Sequence, residues 1–178
     1  MAKKKMQGAE IVIEALKEQG VTEIFGYPGG AVLPLYDAIF NQNAIRHILV
    51  RQEGGAVHAV EGYARSTGKV GVVLVTSGPG ATNAAAGVHV AQQDSTPMIL
   101  FVGQIETGMR GRDAFQEVDY VQVFGSIAKW VAEVEDAVLS GQRPHVTPTD
   151  APPAWLTLMA QCWAAAPLER PRMRAVVA

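Results

Sequence analysis

The 178-residue sequence contains one cysteine, Cys162, which excludes an internal disulfide. An excess of one charge is also lacking, because 15 basic residues are balanced by 17 acidic ones. Such a chain has no strong positive electrostatic field to attract nucleic acid or an anionic membrane, and we expect neither as a partner. No apolar run is long enough to span a bilayer, and residues 6–10 form no apolar signal-peptide segment. We therefore expect a cytoplasmic protein.

Motifs for metal and nucleotide binding are also missing. The four histidines show no metal-ligand spacing, so the sequence predicts no metal ligands of its own. The turn at residues 26–30 is rich in glycine, but it is not a Gly-x-Gly-x-x-Gly motif and no Lys-Ser/Thr pair follows it. Neither dinucleotide binding nor a P-loop is therefore predicted.

Between residues 6 and 134, helical and strand patterns alternate. Residues 6–19 carry apolar side chains at helical spacing, whereas residues 70–76 are almost continuously apolar, as in a strand covered on both faces. The predicted helices are 6–19, 31–40, 53–67, 81–92 and 118–124, and the predicted strands are 21–27, 45–50, 70–76, 98–103 and 129–134. This alternation predicts an α/β fold with a parallel sheet of about six strands, covered by helices on both faces.

Glu53 lies where the predicted strand 45–50 has ended and the helix before Gly68 begins. Ligands of open α/β sheets bind at this edge. Two interpretations of the carboxylate are open. It could stabilise the helix N-terminus through the helix dipole, or it could be a catalytic acid. Position alone favours the first interpretation.

Four motifs together resemble the N-terminal pyrimidine-binding domain of thiamine-diphosphate enzymes. They are residues 51–69, Thr-Ser-Gly-Pro-Gly-Ala-Thr-Asn at 76–83, Gly-Tyr-Pro-Gly-Gly at 26–30 and Asp-Ala-Phe-Gln-Glu at 113–117. Within those enzymes the chain is most similar to the acetolactate synthase (acetohydroxyacid synthase) large subunit, over roughly residues 5–136. The resemblance implies a thiamine-diphosphate-binding fold. It also implies condensation of two pyruvates, or of pyruvate with 2-oxobutanoate, in the synthesis of isoleucine and valine.

The resemblance implies catalytic roles for Glu53 and Gln116. A carboxylate hydrogen-bonded to the aminopyrimidine ring favours the imino tautomer, which removes the thiazolium C2 proton. The implied cofactor contacts are Tyr27, Pro28, Gly29, Glu53, Ser77, Pro79, Gly80 and Asn83. The implied substrate-side residues are Gly30, Phe115 and Lys129. Ordinary roles stay open for these positions: strand-to-helix turns for the two glycine-rich motifs, and a solvated surface position for Lys129.

The resemblance also implies parts that this sequence does not contain. In the family, the cofactor diphosphate and Mg²⁺ bind a second domain through a Gly-Asp-Gly motif, and a further domain carries FAD. We therefore expect weak thiamine-diphosphate binding and little activity from this chain alone. Its partners would be 2-keto acids and either a second copy of itself or a full-length synthase subunit. The alternative is a non-catalytic binding or oligomerisation module, or a truncated fragment.

Residues after about Asp136 do not continue the alternating pattern. The segment 155–171, which includes Leu-Met-x-x-Cys-Trp, resembles the last helices of a protein-kinase C-terminal lobe. The kinase glycine loop and catalytic loop are absent, so phosphoryl transfer is not predicted. We therefore predict two units: a thiamine-diphosphate pyrimidine-binding domain at 1–137 and a short helical appendage at 138–178. A kinase-derived interaction module is a third interpretation.

Overall fold

The computed structural model describes residues 7–133 and the strand at 173–177. Its helices are α1 (Gly8–Glu18), α2 (Leu33–Phe40), α3 (Glu53–Thr67), α4 (Pro79–Gln93) and α5 (Tyr120–Phe124), with 3-10 turns at Gly30–Val32 and Thr107–Met109. Its strands are β1 (Glu23–Gly26), β2 (Arg46–Leu49), β3 (Gly71–Val75), β4 (Met98–Gly103), β5 (Trp130–Glu133) and β6 (Met173–Val177). No helix in these described ranges is long and apolar enough to cross a membrane.

The strands form one six-stranded sheet in the order β2-β1-β3-β4-β6-β5. The first four strands of that order pair in parallel. Crossovers through helices are what join parallel neighbours, and the helices predicted from the sequence occupy those positions. The predicted α/β fold with about six strands is therefore confirmed.

Two apolar clusters cover opposite faces of the sheet. One combines α1 and α2 with inward-facing residues of β1, β3 and β4, and the other combines α3, α4 and α5 with the alternate residues. In β3, Val72 and Leu74 belong to the first cluster, and Val73 and Val75 belong to the second. Burial on both faces explains why this strand reads as a continuous apolar run.

Helices α3 and α4 approach each other closely because glycine occupies the contact. A Cβ atom at Gly87 of α4 would lie 2.5 Å from Val57 Cγ1 of α3. A Cβ atom at Gly54 would lie 3.1 Å from the carbonyl oxygen of Asn83. A larger side chain at either position would separate the two helices.

The strand β6 corrects the prediction of a helical appendage for residues 173–177. It pairs antiparallel with both β4 and β5, so the sheet is parallel only on the side from β2 to β4. Val176 and Val177 are β-branched residues that favour strands, a preference the helical prediction overlooked. Residues 134–172, with the kinase-like segment, lie outside the described part of the chain. The division of the chain after residue 137 stays a prediction.

Candidate functional site

The carboxyl ends of the parallel strands β1, β2 and β3 lie at one edge of the sheet. The segments that follow these strands there are residues 27–30, 50–53 and 76–79. This is the edge at which open α/β sheets bind ligands, because helix N-termini and turn backbones converge there. Three of the four sequence motifs therefore meet at a single place.

Glu53 is the first residue of α3, and it is buried, with 7% of its surface exposed. Capping of the helix is performed by the neighbouring Gln52, whose side chain accepts a hydrogen bond from the Gly55 amide at 2.9 Å. The Glu53 carboxylate accepts a different hydrogen bond, from Asn83 Nδ2 to Oε2 at 3.0 Å. Within the described residues, no hydrogen bond reaches the other oxygen, Oε1. This arrangement leaves one carboxylate oxygen available to a ligand.

Gly80 keeps the space beside this available oxygen open. A Cβ atom at Gly80 would lie 3.3 Å from Glu53 Oε1 and 2.7 Å from Thr76 Cγ2. Any larger side chain would therefore press on both residues. Pro79, at the start of α4, is exposed next to this opening.

Gly29 fixes the turn after β1 against the end of β3. A Cβ atom there would lie 2.5 Å from the side chain of Thr76, so only glycine allows this approach. The hydroxyl of Thr76 is buried and has no hydrogen-bond partner. The residues next to Gly29 in this turn are exposed at the same edge of the sheet: Tyr27, Pro28 and Gly30.

The fourth motif reaches the same edge through Gln116. Ser77 is buried, and its hydroxyl donates a hydrogen bond to Gln116 Oε1 at 3.0 Å. Gln116 has a left-handed backbone, with a φ of 64°. The next residue, Glu117, supports this turn by accepting hydrogen bonds from the amides of Gly111 at 2.6 Å and Ala114 at 3.0 Å. These backbone bonds hold the pKa of the Glu117 carboxyl below its ordinary value.

Two of the implied substrate-side residues, within the described part of the chain, make no side-chain hydrogen bond or ion pair with this group. The Phe115 side chain is 87% exposed. Lys129 is exposed immediately before β5. Their implied roles stay predictions.

The structure adds residues that the sequence interpretation missed. The hydroxyl of Tyr120 in α5 accepts a hydrogen bond from the Gly78 amide at 2.7 Å. Next to Gly26, the Tyr36 hydroxyl lies 3.2 Å from His47 Nε2. Burial raises the pKa of Tyr36 and lowers the pKa of His47. The sequence signal for Tyr120 and Tyr36 was the same, because a tyrosine in an apolar helix needs a partner for its hydroxyl.

Metal-binding side chains do not gather at this edge. Within residues 7–133 and 173–177, no group of three or more His, Cys, Asp or Glu residues could hold a metal ion.

Together, the fold and this edge define an α/β ligand-binding domain with one buried, oriented carboxylate. The family described as "Thiamine pyrophosphate enzyme, N-terminal TPP binding domain" matches residues 6–123, which is more than half of the chain. The chain belongs to this family. The resemblance inferred from the four motifs is thus confirmed, and thiamine diphosphate is the cofactor of the family to which the fold belongs.

Curated relatives match the same region. The chain is 56% identical over 126 residues to the acetolactate synthase large subunit of Haemophilus influenzae, which covers 71% of this chain and 22% of that protein. It is 54% identical over 133 residues to the acetolactate synthase large subunit of Lactococcus lactis, and this match covers 75% of this chain and 23% of that protein. It is 53% identical over 124 residues to the acetolactate synthase isozyme 3 large subunit of Escherichia coli, and this match covers 70% of this chain and 22% of that protein. The chain therefore spans less than a quarter of the length of these relatives.

Proposed function

We propose that this chain forms the pyrimidine-binding part of a thiamine-diphosphate-dependent acetolactate synthase. The full enzyme would join two pyruvates, or pyruvate and 2-oxobutanoate, in branched-chain amino-acid biosynthesis in the cytoplasm. The names of the relatives support this substrate class, and the α/β domain described above is the part of those proteins that the chain matches.

The observation that carries the proposal is the geometry of Glu53. Its buried carboxylate has one oxygen held by Asn83 and the other directed beside Gly80. When bound, thiamine diphosphate supplies the carbanion chemistry, and the protein supplies the orienting acid. In this proposal Glu53 would hold the aminopyrimidine ring through a hydrogen bond at Oε1, and Asn83 keeps the carboxylate in the orientation that this requires.

The surrounding residues fit a flat aromatic ring. Gly80 leaves room next to Glu53 Oε1, and Pro79 offers an apolar face at the start of α4. Gly29 brings the turn 27–30 against Thr76, so this turn forms the opposite side of the proposed site. On the substrate side we propose Gly30, Phe115 and Lys129, with Gln116 as a second catalytic residue held by Ser77.

The diphosphate, Mg²⁺ and FAD would be bound by other domains of the assembled enzyme. We propose that a second copy of the chain or a full-length synthase subunit completes the site. Without that partner, the 178-residue chain should form no measurable acetolactate from pyruvate, thiamine diphosphate, Mg²⁺ and FAD.

The test is calorimetric titration of thiamine diphosphate with Mg²⁺ into the purified chain. Glu53→Gln keeps the size of the side chain but removes the charge, and we expect at least about tenfold weaker binding. Glu14→Gln is the matched control, because it removes an exposed carboxylate on α1 that pairs with Lys17. Equal affinity of the Glu53→Gln variant and the parent chain would contradict the proposal.

A further inference from the structure

Tyr120 has a buried hydroxyl that the proposed chemistry does not use. Its side chain is fully buried in the apolar cluster on the α3–α4 face. The hydroxyl oxygen accepts a 2.7 Å hydrogen bond from the backbone amide of Gly78, 42 residues earlier in the chain. A buried hydroxyl needs polar partners, and the Gly78 amide, in the turn that leads into α4, is one of them.

Gly78 has a backbone conformation that depends on such support. Its φ is 56° and its ψ is −116°, a conformation that L side chains rarely adopt. As the N-terminal capping residue of α4, it has an amide that no helical hydrogen bond satisfies. The Tyr120 hydroxyl therefore fixes the orientation of the peptide between Ser77 and Gly78.

The same turn is held from a second side by Gln116. A Cβ atom at Gly78 would lie 2.7 Å from Gln116 Cβ, so Gly78 packs closely against Gln116. The hydrogen bond from Ser77 to Gln116 adds a polar link. Residues 77 and 78 are thus clamped between α5 and the turn at 113–117, and both clamping residues come from one continuous segment.

We propose that Tyr120 is a positioning residue that sets the conformation of residues 77–80 and thereby the affinity for the aminopyrimidine ring. The inference rests on the proposed function, because it assigns that ring to the opening beside Gly80. It adds a residue from α5, a helix that contributes no side chain to the proposed cofactor contacts. The hydroxyl acts through Gly78 and touches no ligand.

The first readout needs no ligand and uses amide hydrogen exchange measured by NMR on the ¹⁵N-labelled chain. Tyr120→Phe removes one oxygen atom and keeps the buried ring. We expect the Gly78 amide to exchange at least about tenfold faster than in the parent chain, because its hydrogen-bond acceptor is gone. Unchanged exchange at Gly78 would overturn the proposal.

The second readout is an NMR titration with thiamine diphosphate and Mg²⁺ up to millimolar concentration. We expect the Tyr120→Phe variant to bind about tenfold more weakly than the parent, the effect of losing one supporting hydrogen bond. Equal affinity of variant and parent would overturn the proposal, even if the thermal unfolding midpoint had fallen. A parent chain that shows no binding would contradict the proposed function instead, and Gly78 exchange would still decide whether Tyr120 fixes the turn.

Tyr63→Phe is the matched control. The Tyr63 hydroxyl is also hydrogen-bonded to a distant residue, because it donates to Glu23 at 3.0 Å, but Glu23 lies at the amino end of β1. Its loss should lower stability without changing either Gly78 exchange or cofactor affinity. Equal changes in both variants would show a general structural effect and overturn the positioning role.

Discussion

The side-chain amide of Asn83 donates a hydrogen bond to Glu53 Oε2 across 3.0 Å, joining the second turn of α4 to the first residue of α3. This bond constrains the carboxylate without occupying its second oxygen. Asn83 is therefore the residue whose removal should disturb the acid most directly.

Asn83→Ala should weaken thiamine-diphosphate binding by about tenfold, because the Glu53 carboxylate loses the donor that orients it. The free energy of unfolding should fall by about 1.5 to 3 kcal/mol, as for a lost hydrogen bond to a charged group. Calorimetric titration and urea unfolding measure the two effects. Gln92→Ala, an exposed change near the other end of α4, is the control and should alter neither. Unchanged affinity in Asn83→Ala would contradict the orienting role.

Gly80→Ala should destabilise the chain by about 1 to 3 kcal/mol, because the added methyl group would press on Thr76 and Glu53. It should also abolish cofactor binding by closing the space beside Glu53 Oε1. Gly62→Ala is the matched helical control, since a Cβ atom there meets nothing within 4 Å. The free energy of unfolding of the Gly62→Ala variant, measured with urea, should rise by about 0.5 to 1 kcal/mol. Similar gains in both variants would refute the steric argument.

The turn at 111–117 should lose stability in acid because of Glu117. Backbone hydrogen bonds from Gly111 and Ala114 lower its folded-state pKa below the ordinary 4.5. The folded form therefore binds its proton less readily than the unfolded form, and the stabilisation is complete above about pH 5. It should disappear as the pH falls below 4.5 and through the lowered pKa.

The measurement is the thermal unfolding midpoint between pH 3 and pH 7. The parent chain should have a higher unfolding midpoint than the Glu117→Gln variant. This difference should be largest at neutral pH and should narrow in acid. A difference between the two unfolding midpoints that widens in acid would contradict the stabilising role of ionised Glu117.

His47 should titrate below its ordinary pKa of 6.5 when followed by NMR, because burial disfavours the charged ring. Its contribution to stability is complete above about pH 6.5 and is lost as the pH falls through the lowered pKa. Tyr36→Phe removes the hydroxyl 3.2 Å from Nε2. The pKa should stay low in that variant, since burial is the main cause. A midpoint at or above 6.5 in the parent would contradict this account.

The sequence predicted the elements that position Glu53 because periodic patterns report secondary structure directly. The strand before Glu53 and the helix after it both formed where apolar spacing predicted them. The hydrogen bonds of the site carry no such periodicity. Asn83 and Glu53 lie 30 residues apart, and Ser77 and Gln116 lie 39 apart, so only tertiary contacts determine which atoms meet.

The capping of α3 shows that even a hydrogen bond between nearby residues could not be predicted from the sequence. Glu53 was a plausible capping acid from its position, but the side chain of the preceding Gln52 accepts the Gly55 amide instead. Glutamine is not among the preferred capping residues, so propensity favoured the wrong position. The strand β6 was missed for a related reason, because five residues are too few to establish a period.

The close approach of α3 and α4 at Gly87 and Val57 determines how the site could vary. Because a glycine brings α4 directly against Val57 of α3, with no adjustable long side chain between them, we expect the two helices to keep their relative positions. Glu53 and Asn83 lie at the same end of this helix pair, so their separation is set by helix geometry and not by the turns around them. Changes in the turns 27–30 or 111–117 could thus alter what the site admits while leaving the acid and its donor in register.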